Sequence, residues 1–311
     1  MYNLDTNKIL SMSQDELREY ILDCERDFDS SLERIASDVA TRPAIKLCGL
    51  AGPSCAGKTT GSFKLTVYLA ARGISVRTLS IDDFFHNRGE GPVDEEGKPD
   101  FESLSYVNLD LLNTTLSDVL AGKTVMLPKF DFLSSRRIDN YERYTPQKNE
   151  IIILEGLHAL NDVMYSGISH EEYYRIFINV ENQLKVDGKP LFDGRELRLF
   201  RRLIRDFKFR GADAQLTFTL WENVLKGEIK NIHPFEDRAD FKLNSMFEYE
   251  PCAAKRQVLE VLSGLDKDSE YVSVAKKLVR KLEKVPHIYE KLVPMNSLMQ
   301  EFLGGDFFKY D

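Results

Sequence analysis

Gly52-Pro53-Ser54-Cys55-Ala56-Gly57-Lys58-Thr59 carries the strongest chemical signal in the chain, fitting the GxxxxGK[ST] phosphate-loop pattern (Walker A) at every fixed position. Glycines at this spacing let backbone N–H groups turn inward around phosphate oxygens. Lys58 supplies a point charge for the outer phosphates, and Thr59 offers a hydroxyl to Mg²⁺. The pattern alone can arise by chance, but here an apolar run, IKLCGLA, precedes it and a stretch of helical spacing, FKLTVYLAAR, follows. Strand, loop and helix are the context such a loop requires. The candidate nucleotide-binding residues are therefore Gly52, Ser54, Cys55, Ala56, Gly57, Lys58, Thr59 and Thr60. Cys55 is read as a small residue that fits the loop; the competing reading is an oxidisable thiol made acidic by Lys58 and the helix-end N–H groups.

Two further strands end in carboxylates. Leu79-Ser80-Ile81-Asp82-Asp83 places a pair just past a short apolar run, where open α/β sheets form their ligand crevice. One of the pair could take a proton from an attacking hydroxyl while the other supports Mg²⁺; the plainer reading is a cap on the next helix. Ile151 to Glu155 is a second run ending in an acid, with Glu155 the better Mg²⁺ support and Asp162 a surface or capping residue. Arg195, Arg198, Arg201, Arg202, Arg205 and Arg210 are dense for an acidic chain. Arg198, Arg202 and Arg205 follow helical spacing, so one face could offer guanidinium forks to phosphates as a closing lid over about 195–212. A solvated face paired with Glu196 and Asp206 is the alternative. Asp94-Glu95-Glu96-Gly97 matches the DxxG of GTPase switches, but no NKxD-type guanine reader follows.

These residues need a scaffold, and the runs VRTLSI (76–81), IIIL (151–154) and RIFINV (175–180) read as buried parallel strands alternating with helices. The expected fold class is α/β: a parallel sheet flanked by helices around the phosphate loop. We expect an N-terminal helical extension over 1–43, a catalytic α/β domain over 44–250 and a C-terminal helical tail over 251–311 packing on it. Ser13 and Glu16 are spaced as a capping box before an amphipathic stretch from Leu17 to Val39. From Arg195 onward the pattern is mostly helical. The 311 residues carry 42 Lys+Arg against 50 Asp+Glu, a net −8, which argues against a nucleic-acid partner. No apolar run is long enough for a membrane span and no secretory signal opens the chain, so a cytoplasmic protein is expected. The four cysteines form no CxxC and the five histidines no HExxH, so neither a disulfide framework nor a zinc site is indicated.

In this order, GPSCAGKTT, LSIDDFF, KPDFES, LPKFDF, ILEGLHAL and RRLIRDFKFRG resemble the phosphoribulokinase and uridine kinase family, uridine-cytidine kinases in particular. WENVLKGE, ADFKLNS and SLMQEFLGG are similar to the kinase part of long bacterial uridine-kinase-like proteins. The resemblance implies a P-loop kinase fold, with 44–250 as the kinase domain, and an ATP- and Mg²⁺-dependent transfer of phosphate to a sugar hydroxyl of a small-molecule acceptor, and makes a homo-oligomer plausible. It implies Asp82 as the base, Asp100 on the sugar hydroxyls, and Thr59 and Glu155 as Mg²⁺ supports. Arg202 and Arg205 would face the reacting phosphoryl group and acceptor, and Arg210 the ATP phosphates. Phe85, Phe130 and Arg137 complete the candidate acceptor site. The chain departs from the uridine-cytidine kinases where the base is read, with Phe130, Ser135, Ala212 and Leu220 in place of Tyr, His, Arg and Gln. The acceptor therefore stays open among a pyrimidine nucleoside, another nucleoside, a free sugar and a cyclic polyol. A P-loop protein kept for ATP-dependent regulation is the remaining alternative.

Overall fold

Strands buried on both faces of a covered parallel sheet are short, continuous apolar runs. The computed structural model describes residues 2–87, 89–93, 97, 100, 102–132 and 134–305. Asp94, Glu95 and Glu96 of the DxxG match, and Lys98, Pro99 and Phe101 beside Asp100, lie outside the described residues.

The chain opens with β1 (Asn3–Leu4), α1 (Thr6–Ser11) and α2 (Gln14–Ala40), the last started by the Ser13–Glu16 capping box. The loop motif lies between β2 (Leu47–Ala51) and α3 (Lys58–Ala70), and β3 (Val76–Ser80) leads to Asp82. Next come α4 (Leu109–Leu120), the hairpin β4 (Val125–Asp131) and β5 (Arg136–Tyr144), β6 (Ile151–Glu155) and β7 (Tyr173–Asn179). A second hairpin, β8 (Gln183–Val186) and β9 (Lys189–Asp193), feeds α5 (Gly194–Phe209) and α6 (Ala214–Asn231). The chain continues through β10 (Phe241–Asn244), α7 (Glu250–Ser263), α8 (Val272–Leu282) and the single turn α9 (Gln300–Leu303).

The central sheet has the order β10-β7-β2-β6-β3, with every pairing parallel. Its alternating side chains feed two cores. Cys48, Leu50, Ile153, Ile176 and Ile178 pack with α2, α3, α5 and α7; Leu47, Ala51, Ile152, Leu154 and Phe177 face α4 and the β4–β5 hairpin. The four strands expected from the sequence all lie in this sheet. β10 and the two hairpins were not expected, because β10 is only four residues long and β5 is mostly exposed and charged.

The N-terminal helices pack on the domain that follows them, with Ile21, Phe28, Leu32, Ile35 and Val39 of α2 buried in the same core as the sheet and β1 paired with β8. The segment 195–212, expected as a closing lid, does not stand apart from the core. Most of α5 is buried, including Leu197, Phe200, Leu203, Ile204 and even Arg198, Arg201 and Arg202.

Candidate active site

The register of the sheet aligns Leu50, Glu155 and Ser80 in one row across β2, β6 and β3. The phosphate loop, Glu155 and the Asp82 turn thus leave the sheet at one edge, the C-terminal ends of its strands, where such sheets bind ligands.

Within the loop, two glycines are required by geometry. Gly57 is the N-cap of α3 with φ of 89°, the left-handed region, and a Cβ there would run into Leu298. A Cβ on Gly52 would collide with the Ile178 carbonyl. The loop carbonyls are all tied back by donors: Gly52 and Pro53 by Lys58 Nζ (2.9 and 3.2 Å), Ser54 and Cys55 by Arg198 and Arg201 (3.1 and 3.2 Å), and Ala56 by the Ser245 hydroxyl (2.7 Å). With the oxygens held in this way, α3 presents a first turn whose N-cap residue, Gly57, supplies no side-chain cap, the arrangement that attracts anions. Thr59 is exposed there, whereas Thr60 is fully buried and its hydroxyl donates to Glu301 at 2.6 Å. Cys55 is buried with φ of 61°.

The arginine series divides in two. Arg198 forms a bidentate pair with Glu228 (2.6 and 2.8 Å) and Arg201 one with Glu250 (2.6 and 2.7 Å), both fully inside the protein. These two hold the loop's frame, so Arg198 is not a free fork for phosphates. Arg202, Arg205 and Arg210 instead converge on one buried carboxylate, Asp206, at 3.1, 3.0 and 3.8 Å, and Arg202 also donates to the Ser54 hydroxyl. Arg195 is exposed.

Asp82 is partly buried, and burial raises its carboxyl above the usual range, with Lys58 and Arg210 opposing and Asp83 reinforcing the rise. Asp83 is committed elsewhere: it accepts from the Phe130 N–H (3.1 Å) and faces Lys129, tying the β4–β5 hairpin to the site. Glu155 is pushed up to about 7 by burial, with Lys58 opposing, and its carboxylate lies 3.4 Å from the Ser62 hydroxyl. Among the described residues no group of three or more His, Cys, Asp or Glu side chains is arranged to hold a metal alone. Mg²⁺ needs none, since it keeps several waters and is usually held by one or two carboxylates plus phosphate oxygens.

On the acceptor side the Asp100 carboxylate accepts from the Glu102 N–H at 3.2 Å and so caps its own turn. Glu102 lies close enough to the site for its charges to act on it: burial pushes it up to about 7, opposed by Arg202 and Lys58 and reinforced by Asp82 and Glu228. Asn231 of α6 donates to the Glu102 carbonyl at 2.6 Å, and the side chain packs on Gly227. Phe85, Phe130 and Phe132 form an edge-to-face cluster with Tyr106. Arg137 braces it, donating to the Phe85 carbonyl at 2.8 Å and pairing with Asp139 at 2.7 Å. Of the departures at the base-reading positions, Phe130 is buried in the cluster, Ser135 lies in the hairpin turn, Ala212 is buried and Leu220 is an exposed position of α6.

A phosphate loop between strand and helix, with two strand-end acids beside it, defines a P-loop phosphotransferase. The chain belongs to the Phosphoribulokinase / Uridine kinase family, which its residues 47–250 match. It is a small-molecule kinase, an ATP-dependent phosphotransferase with an alcohol group as acceptor. It is 26% identical over 180 residues to a uridine kinase of Ligilactobacillus salivarius, covering 58% of this chain and 75% of that one. It is 25% identical over 190 residues to a uridine kinase of Halobacterium salinarum, covering 61% and 72%. Among solved structures, D-glycerate 3-kinase from Cryptococcus neoformans aligns at 14% identity with a TM-score of 0.47, covering 67% of this chain and 89% of that one. No helix of the described residues is long and apolar enough to cross a membrane.

Proposed function

We propose that this chain transfers the γ-phosphoryl group of ATP to a hydroxyl of a nucleoside or a related sugar or polyol. The observation that carries the reading is the single row of Leu50, Glu155 and Ser80, which opens the phosphate loop, Glu155 and Asp82 onto one edge. The residues fit ATP and Mg²⁺. The carbonyls of the loop are tied back, the N-cap residue Gly57 puts no side chain over the first turn of α3, the Thr59 hydroxyl is accessible and Glu155 is a strand-end acid on the same edge. Mg²⁺, when bound, supplies charge neutralisation at the phosphate oxygens. Thr59 and Glu155 are the residues that would hold it.

The remaining steps belong to the side chains. Lys58 exchanges the Gly52 and Pro53 carbonyls for the outer phosphates. Arg202, Arg205 and Arg210, gathered by Asp206, balance the charge that develops during transfer. Asp82 accepts the proton of the attacking hydroxyl, and its raised pKa makes it a better base than an exposed aspartate. Glu102 accepts hydrogen bonds from neighbouring hydroxyls of the acceptor. The phenylalanine cluster supplies a ring surface, with Phe132 55% exposed, that recognises a flat or cyclic body by stacking rather than by reading a base edge.

The test is ATP consumption with Mg²⁺ against nucleosides, free sugars and cyclic polyols, with the product identified by mass spectrometry. Acceleration by at least one acceptor, with a phosphorylated product, is expected. Acceleration by uridine or cytidine would show that base readers lie elsewhere in the site; acceleration only by a non-nucleoside would assign the polyol alternative. No acceleration by any class would overturn the reading.

A further inference from the structure

The end of the described chain packs on the phosphate loop at two points. Leu298 is fully buried and occupies the space a Cβ on Gly57 would need. One turn on, the Glu301 carboxylate accepts from the Thr60 hydroxyl at 2.6 Å and lies 3.3 Å from the Thr60 N–H. That N–H belongs to the first turn of α3, which has no side-chain cap of its own. An anion accepting from both the N–H and the hydroxyl of one first-turn residue has the contact pattern of a phosphate oxygen in such a loop. Here the anion is part of the protein.

The placement is firmly built. Met299 and Phe302 are fully buried, Phe302 lies under the Arg201 guanidinium, and the Leu303 carbonyl accepts from Lys208 at 2.6 Å. Glu301 is 5% exposed and close enough to Arg205 and Glu155 for their charges to act on one another. A carboxylate in this position opposes the arrival of further negative charge, and its two donors are those a nucleotide phosphate would use.

We infer that Glu301 is a built-in occupant of the phosphate site, which nucleotide must displace from Thr60 before the site fills. The C-terminal segment thereby sets the nucleotide concentration at which the kinase loads. The inference rests on the kinase reading of the loop.

The experiment measures Mg²⁺–ATP affinity by calorimetry for the full wild-type chain, E301Q and K58A, with thermal melts of each in the absence of nucleotide. E301Q is expected to bind ATP several-fold more tightly than wild type, while its nucleotide-free melting temperature stays level or falls. A purely structural Glu301 would lower the melting temperature and leave affinity unchanged or weaker, and that result overturns the inference. Should E301Q not fold, E301D, which withdraws the charge from Thr60 by one methylene, carries the same expectation. Failure of wild type and E301Q alike to bind ATP would overturn the kinase reading, and this inference with it. Binding by wild type that K58A abolishes, with no gain in E301Q, would overturn this inference alone.

Discussion

Two residues apart in one turn, Asp100 and Glu102 have different environments, and the difference sets a prediction. Asp100 caps the turn and Glu102 faces Arg202, Lys58 and Asp82. E102Q is expected to raise the acceptor KM by an order of magnitude or more with little change in the ATP KM. D100A should act mainly on stability, by about 1 kcal/mol for a lost cap. Equal acceptor effects in steady-state kinetics would contradict the assignment. Glu102 also gives a pH signature. Folded Glu102 keeps its proton up to about 7, whereas an unfolded glutamate releases it near 4.5. Between those values the folded chain binds more protons than the unfolded one, so this group lowers stability as pH rises. In nucleotide-free urea melts E102Q should therefore gain on wild type from pH 5 to pH 8; a gap constant with pH would contradict the shift. The loop, Asp82 and Glu155 were legible because each follows an apolar strand. Glu102 was not, although it stands in the motif KPDFES, because a sequence does not tell which acid of a turn is turned inward.

At the scale of elements, α5 shows why a charge run is hard to read. Its arginines were expected to form a lid over phosphates, and helical spacing is compatible with that. What spacing does not show is the partner on each neighbouring element. Glu228 of α6, Glu250 of α7 and Ser245 after β10 convert Arg198 and Arg201 into anchors of the phosphate loop. Glu228, Ser245 and Glu301 close or lie within WENVLKGE, ADFKLNS and SLMQEFLGG, the three stretches similar to the kinase part of long bacterial uridine-kinase-like proteins; all three bear on the loop. The split between the arginines is testable. R201A leaves Glu250 charged and unpaired inside the protein, which should cost about 3–5 kcal/mol in chemical denaturation. R202A should leave stability within about 1 kcal/mol and reduce kcat by ten-fold or more, since Arg202 lies at the site with a second partner for Asp206 beside it. A stable R201A, or an R202A with wild-type turnover, would contradict the division.

For the whole molecule, the parallel sheet was readable from four apolar runs, and its helical cover from their alternation with helices. Packing of the terminal helices on this domain was expected too; the residues they meet were not readable, because an amphipathic stripe reveals that a helix packs without revealing what it packs against. α2 contributes Ile21, Phe28, Leu32, Ile35 and Val39 to the main core. At about 1.5–3 kcal/mol for each large apolar side chain buried, their loss is comparable with the 5–15 kcal/mol that holds a domain folded. Deleting residues 1–43 is therefore expected to abolish the cooperative melt of the remainder, as followed by circular dichroism. A truncated chain with a sharp transition and retained ATP binding would show the core to be separable. The central claim is that Asp82, at the end of β3 beside the phosphate loop, removes the proton from a small-molecule hydroxyl during transfer from ATP. Its most direct test is D82N, measured for ATP affinity and for acceptor-dependent ATP consumption with the best acceptor from the panel. The account predicts ATP affinity within about three-fold of wild type and turnover lowered at least 10²-fold, in the range of general-base catalysis. Turnover near the wild-type rate in D82N would contradict it.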